Sequence, residues 1–116
     1  MNESLFYASC PTRRTPVNYP ELIAAVEAWA EARHIFRHSK PMPQLMKTVS
    51  EIGELCDATL KDSRPEVIDA VGDVLVTLII YCRLQGLTLQ ECLASSYEVI
   101  KDRKGTLTAE GVFVKE

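Results

Sequence analysis

The chain has 116 residues, 47% hydrophobic and 25% charged, with a formal net charge of −3. That length suits one domain with a single modest core. An acidic balance without a long basic run excludes a nucleic-acid footprint as the primary function. The four cysteines, Cys10, Cys56, Cys82 and Cys92, form no CxxC pair and mostly fall in apolar periodic segments. They read as small hydrophobes in a reducing cytoplasm, not as a disulfide scaffold or a zinc site.

The opening stretch, MNESLFYASCPTRRTPVNYP, is polar and proline-punctuated, so residues 1–18 read as an irregular segment and not as a signal peptide. A first helix is expected from Asn18, an N-cap with Pro20 in the first turn and Glu21 three residues on. Leu22, Ile23, Val26, Trp29 and Ala30 follow at helical spacing, and the helix should fade around Ile35 to His38. FRHSKPMP is expected as a loop, its prolines stopping helix continuation. A second helix should run from about Pro43 to Lys61. Leu45, Val49, Ile52, Cys56 and Leu60, joined by Met46 and Leu55, give it an apolar stripe. Gln44, Lys47, Glu51 and Glu54 share another face, given about 100° per residue.

DSRP introduces a third helix, with Ser63 and Glu66 at capping-box spacing and Pro65 in the first turn. It ends before Gly86, a natural C-cap. The second half of this helix is apolar almost all round, so it must be covered on several sides, and a partner subunit is the expected cover. Its strongest run, Val74 to Cys82, is about half the length needed to span a bilayer. A fourth helix starts at Thr88, with Glu91 as capping-box partner, and should turn Leu89, Cys92, Leu93, Tyr97 and Ile100 inward. KDRKG closes it, and residues 106–116 form a tail with a strand-like VFV but no strong element. The expected architecture is one all-α domain over 1–116, a four-helix-type bundle completed by oligomerisation, soluble and cytoplasmic, with neither membrane nor nucleic acid as partner.

Helix three carries Glu66, Asp69 and Asp73 at steps of three and four. Helices joined by a short loop pack as antiparallel neighbours, so Glu51 and Glu54 should meet Asp69 and Asp73. Four facing carboxylates repel and raise one another's pKa values, and a hard cation reconciles them. Oxygen-only ligands favour Mg²⁺, with Mn²⁺ as a substitute, and open coordination positions suit phosphoanhydride hydrolysis. An isolated ExxE is usually a solvated edge. Here the acids precede an apolar run, and Gly53 and Gly72 stand beside them in mid-helix, where glycine costs about 1 kcal/mol against alanine. A close approach of another backbone or of a ligand would explain both glycines.

Gln44, Lys47, SEIGEL and DAVGDVLVTLI together resemble the MazG-like all-α nucleoside triphosphate pyrophosphohydrolases. KDRKGTLTAEGVFVKE is similar to the ending of small, stand-alone phage members. The resemblance covers about Leu22 to Glu116. It implies Mg²⁺-dependent cleavage of a (deoxy)nucleoside triphosphate to monophosphate and pyrophosphate, in a nucleotide-pool or house-cleaning role, by a homodimer or homotetramer. Glu51 and Glu54 match the metal-binding ExxE, and one of them would also activate the water. Asp73 matches the aspartate of ExxD. The glutamate of that motif falls on Ala70, so Asp69 is the expected substitute, with Glu66 behind it. Ser50 stands where the family has a further glutamate.

Other residues carry two readings. Lys47 can hold a phosphate oxygen or pair with Glu51 one turn on. Lys101, Arg103 and Lys104 can bind phosphate or serve the helix dipole. Trp29, His38 and Gln44 can contact a base, or be a core residue, a loop residue and a surface residue. A helical module that binds nucleotide or metal for regulation, with catalysis weakened, is the alternative function. A redox di-metal bundle wants Glu-x-x-His pairs on its site helices, whereas Glu31 and His34 make one pair, away from the other acids.

Overall fold

The computed structural model describes residue 16 and residues 18–116. The expectations for the N-terminal segment and for Cys10 lie outside these residues. Five helices and a hairpin follow in order: α1 (Tyr19–Ala32), α2 (Ile35–His38), α3 (Pro41–Leu60), α4 (Arg64–Leu84), α5 (Leu89–Ile100), β1 (Gly105–Leu107) and β2 (Phe113–Lys115). No helix among the described residues is long and apolar enough to cross a membrane.

Capping chemistry sets most helix ends. The Asn18 side chain accepts from the Glu21 N–H at 2.9 Å, as the sequence implies. The end of α1 comes earlier than expected, because His34 takes a left-handed backbone (φ 61) and separates α1 from the single turn of α2. Pro41 and Pro43 do not prolong a loop. They sit in the first turn of α3, where a missing N–H costs nothing. The capping box of α5 is complete: Thr88 Oγ1 accepts from the Glu91 N–H at 3.1 Å, and Glu91 Oε2 accepts from the Thr88 N–H at 2.7 Å. The box expected at Ser63 does not form. Ser63 is the N-cap without a side-chain bond, and Glu66 instead pairs with Lys61 at 3.2 Å.

Two closures of the same kind bracket α4. After α3, Asp62 is left-handed (φ 57), and the N–H groups of Ser63 and Asp62 reach back to Ala58 O and Thr59 O. After α4, Gly86 (φ 73) does the same, with Leu87 and Gly86 donating to Cys82 O and Arg83 O. This is the Schellman arrangement, which satisfies carbonyls that a helix end leaves open.

The antiparallel α3–α4 pair is the main packing unit, and α1 lies against α4. Ala58 and Ala70 are buried between α3 and α4, where small side chains let the backbones approach. Thr48 and Thr77 join the two helices through a 2.8 Å hydroxyl–hydroxyl hydrogen bond, and Thr77 also donates to Val74 O within its own helix. Ile23 and Ala30 of α1 and Ile79, Ile80 and Cys82 of α4 complete the core. Arg83 ties three helices, pairing with Glu27 at 3.5 Å and standing 5.0 Å over the Phe36 ring. Burial pushes the Cys82 thiol up, with Cys92 beside it; Cys92 is half-buried and Cys56 exposed, so only Cys82 is a core residue.

The apolar stripe read on α3 faces mostly outward. Leu45, Met46, Val49, Ile52 and Leu60 are exposed, and the face against α4 is Thr48, Glu51, Leu55 and Ala58. Periodicity locates a face but does not say whether its partner belongs to the same chain. On α5 the outcome is similar: Leu93, Tyr97 and Ile100 are exposed, while Leu89 and Cys92 are partly covered. Nor does any part of the described chain come within 4 Å of a Cβ built on Gly53 or Gly72, so no intrachain contact explains those glycines.

The tail is more ordered than expected. β1 and β2 pair antiparallel, Gly105 against Lys115 and Leu107 against Phe113. Gly105 is required there: a Cβ would strike the Val114 carbonyl oxygen and approach the Phe113 ring at 2.7 Å. Gly111, at φ 88, turns the chain, its N–H donating to Thr108 O at 2.9 Å.

Thr48→Val should lower stability by about 1 kcal/mol, because it removes one partner of a buried hydrogen bond. Pairing it with Thr77→Val should recover part of that loss, apolar replacing polar on both sides. Urea titrations of the three variants measure both effects. A single variant as stable as the parent would show that the pair contributes nothing.

Candidate active site

The close packing of α3 and α4 buries a charge. Glu51 is 7% exposed, and its Oε1 has no hydrogen-bond partner among the described residues. Its Oε2 lies 3.4 Å from Lys47 Nζ, one turn earlier on α3. A buried carboxylate with one oxygen unpartnered is costly unless something else neutralises it. Asp73 of α4 faces the same region. Partial burial pushes its carboxyl above the usual range, and the negative charges of Asp69 and Glu51 push further, while Lys47 pulls it back. One helical turn along, Glu54, Glu66 and Asp69 line a crevice of ≈ 110 Å³ floored by Ala58 and Ala70.

The acids expected on two facing helices are therefore brought together as two neighbouring groups, Glu51 with Asp73 and Glu54 with Asp69. Ala70 is a packing residue here, which explains why no carboxylate occupies it. Among the described residues, no three His, Cys, Asp or Glu side chains are gathered closely enough to hold a metal ion as they stand. The donor set nevertheless fits a hard divalent cation. It is all carboxylate oxygen, and Lys47 is the cation that faces both the unpartnered Glu51 Oε1 and the Asp73 carboxyl.

Candidate base contacts fall in two cavities. Trp29 and Asp73 share one of ≈ 440 Å³ between α1 and α4, with Leu22, Ala25, Val26 and Val76 as apolar walls. His38 and Gln44 line another, of ≈ 400 Å³, with Arg33, His34 and Lys40. Arg33 stands between the two, its guanidinium 4.7 Å over the Trp29 ring. Gln44 Nε2 donates to Ser39 Oγ at 3.2 Å. Lys101 pairs with Glu98 at 2.9 Å, and Arg103 and Lys104 are exposed beyond α5; none of the three makes an ion pair with the α3 or α4 acids among the described residues. Sequence reasoning missed Thr48, Thr77 and the cationic wall of Arg33 and Lys40. A threonine inside VLVTLII was the available signal, since a polar group in an apolar run needs a partner.

The family model of phosphoribosyl-ATP pyrophosphohydrolase matches residues 29–101, which hold Glu51, Glu54, Glu66, Asp69 and Asp73. The chain belongs to this family. A protein of Haemophilus phage HP1, described as an uncharacterized 18.2 kDa protein in the rep-hol intergenic region, is 39% identical over 64 residues. That match takes in 54% of this chain and 39% of the phage protein. Among solved structures, the cyanophage S-2L MazG-like pyrophosphohydrolase, bound to dGDP and three catalytic Mn²⁺ ions per active site, superposes with a TM-score of 0.65. The superposition covers 87% of this chain and 99% of that one at 24% identity, so the two share the MazG-like all-α fold. The match to the pyrophosphohydrolase family ends at Lys101, before the hairpin.

Asp73→Asn should stabilise the metal-free protein at neutral pH. The folded protein holds the Asp73 proton more tightly than the unfolded chain does, so ionisation costs stability as pH rises through the folded value. The advantage of the asparagine should vanish as pH falls below the ordinary aspartate range. Thermal unfolding in chelator across that pH span tests this; a variant less stable than the parent at neutral pH would contradict it.

Proposed function

We propose that the chain is a Mg²⁺-dependent nucleoside triphosphate pyrophosphohydrolase, releasing monophosphate and pyrophosphate. The observation that carries this reading is Glu51, a buried carboxylate with an unpartnered oxygen facing the acids of α4. Family membership supports the reaction class, and the dGDP and Mn²⁺ of the cyanophage protein support a nucleotide and a divalent cation.

Glu51, Glu54, Asp69 and Asp73 would hold Mg²⁺, or Mn²⁺ in its place. The cation would supply charge neutralisation at the phosphate oxygens and a more acidic water. Glu51 Oε1, free of any other partner, would take the proton of the water that cleaves the α–β anhydride, with Glu54 as the other candidate base. Lys47, paired with Glu51 at 3.4 Å and largely exposed, would also meet a phosphate oxygen. Lys101, Arg103 and Lys104 add phosphate-binding charge. Trp29 offers a stacking face in an apolar cavity that reaches Asp73, while Gln44 and His38 offer polar contacts to a base from the neighbouring cavity. The reading includes a homodimer or homotetramer, for which the outward apolar stripe of α3 is the support. A cytoplasmic role in cleaning the nucleotide pool is part of the same proposal.

A nucleotide-binding regulatory module without turnover draws on the buried Ala70 and on the absence of a gathered three-carboxylate set among the described residues. Isothermal titration of Mg²⁺ with a non-hydrolysable nucleotide, beside a turnover assay, separates the two: binding without turnover favours the module.

A screen of nucleoside triphosphates with Mg²⁺ should release pyrophosphate, and orthophosphate alone would exclude α–β cleavage. Glu54→Ala and Asp73→Ala should each cut turnover by about a hundredfold or more while leaving circular dichroism unchanged. Full activity in either variant would remove that residue from the site.

A further inference from the structure

The turn from α4 to α5 uses Leu87 twice. Its N–H donates to Cys82 O at 2.8 Å and closes α4, and it stands directly before Thr88, the N-cap of α5. In a Schellman ending, the residue giving that N–H packs toward the residue whose carbonyl it takes, here Cys82. At a helix start, the residue before the N-cap packs toward the fourth helical residue, here Cys92. The two motifs overlap at Leu87 and so bring the two cysteines to one place. Their thiols meet there in a side-chain hydrogen bond.

The two thiols are not alike. Cys82 is 6% exposed, and burial, with Cys92 and then Glu91 beside it, pushes its thiol up. Cys92 is only half-buried and open in part to water. A reagent in solution therefore meets Cys92 first, with Cys82 directly behind it. A cysteine within reach of solvent and backed by a second thiol is the arrangement of a reversible redox pair, in which one sulfur is oxidised and the other resolves it. Neither cysteine is needed for the proposed hydrolysis, so the pair stands or falls apart from that reading.

We propose that Cys82 and Cys92 form a redox modification site, closed to a disulfide by hydrogen peroxide and reopened by a dithiol. The Cys92 thiolate attacks one peroxide oxygen. An S–O bond forms, the O–O bond breaks, and the departing hydroxide takes up the proton that the thiol gave and leaves as water. Cys92 is then a sulfenic acid, oxidised by two electrons, and the peroxide is reduced. The Cys82 sulfur attacks the Cys92 sulfur, the S–S bond forms, and the S–O bond breaks. The Cys82 proton leaves with the hydroxyl as a second water. Two thiols and one peroxide thus give one disulfide and two waters. The new bond fastens α5 to α4, whose contact is otherwise slight.

Peptide mapping reads the pair directly. Trypsin, cutting after Lys61, Arg83 and Lys101, puts Cys82 and Cys92 on separate peptides, both apart from Cys56. After peroxide treatment of the full chain and alkylation of the remaining thiols, residues 62–83 and 84–101 should appear as one species, two hydrogens lighter than their sum. Dithiothreitol should separate them. In Cys92→Ser, Cys82 should stay a free thiol at the same dose, and its oxidation there would overturn the order of events. A Cys92 sulfinic acid beside an alkylated Cys82 would overturn the pair, as would Cys92 linked to any other cysteine or to a second chain. So would both thiols intact at a dose that oxidises the exposed Cys56. Thermal unfolding reads the fastening. The oxidised chain should melt about 5 °C or more above the reduced one, with no such rise in treated Cys92→Ser. An oxidised chain that melts lower would show that the bond distorts the turn, and would overturn the fastening.

Discussion

The close antiparallel contact between α3 and α4 governs the rest of the molecule. Alanines at 58 and 70 let the backbones approach, and the Thr48–Thr77 hydrogen bond fixes how far one helix slides along the other. That register decides which side chains are trapped at the seam, and one of them is Glu51. A slide of one turn, about 5 Å, would carry the buried carboxylate past Asp73 and separate the charges. Stability and chemistry therefore share the same contact. The threonine pair is a modest interaction, but it is the polar one that specifies alignment, whereas apolar packing alone tolerates several alignments.

The charge arrangement is unfavourable for the chain by itself. Burial and like charge push the Asp73 carboxyl above the usual range, and Glu51 has a single lysine for company. Such a cluster is retained in a folded protein when something bound repays its cost. The cavity between α1 and α4 extends the same logic, being apolar on most sides but ending at a carboxylate.

Much of this was legible in the residues. Asn18, Thr88 with Glu91, and Gly86 announced helix ends by known chemistry, and the structure has all three. The pairing of Glu51 and Glu54 with Asp69 and Asp73 followed from helical spacing and a short connection. What failed did so for physical reasons. Ser63 and Glu66 had the letters of a capping box, but Lys61 offered Glu66 an ion pair. Pro41 and Pro43 looked like terminators because proline breaks a helix interior, yet both occupy a first turn. The stripe from Leu45 to Leu60 had the period of a core face. Period carries no information about whose surface a face meets, and in this chain the buried face of α3 is the more polar one. The hairpin showed only as a strand-like VFV, because three residues a strand give almost no alternation to read. Its clearest mark was Gly105, which the structure requires for close approach.

The connection at Lys61–Ser63 has a consequence for how chains of this kind can vary in length. Asp62 is left-handed without being glycine, and the N–H of Ser63 closes α3 while Ser63 itself opens α4. No residue in the turn is spare. An insertion there would undo a helix end and a helix start together and would shift the threonine pairing beyond it. The seam thus behaves as a unit of fixed length. Additions and deletions are absorbed more readily outside it, beyond the end of α4, where loops and a short hairpin follow.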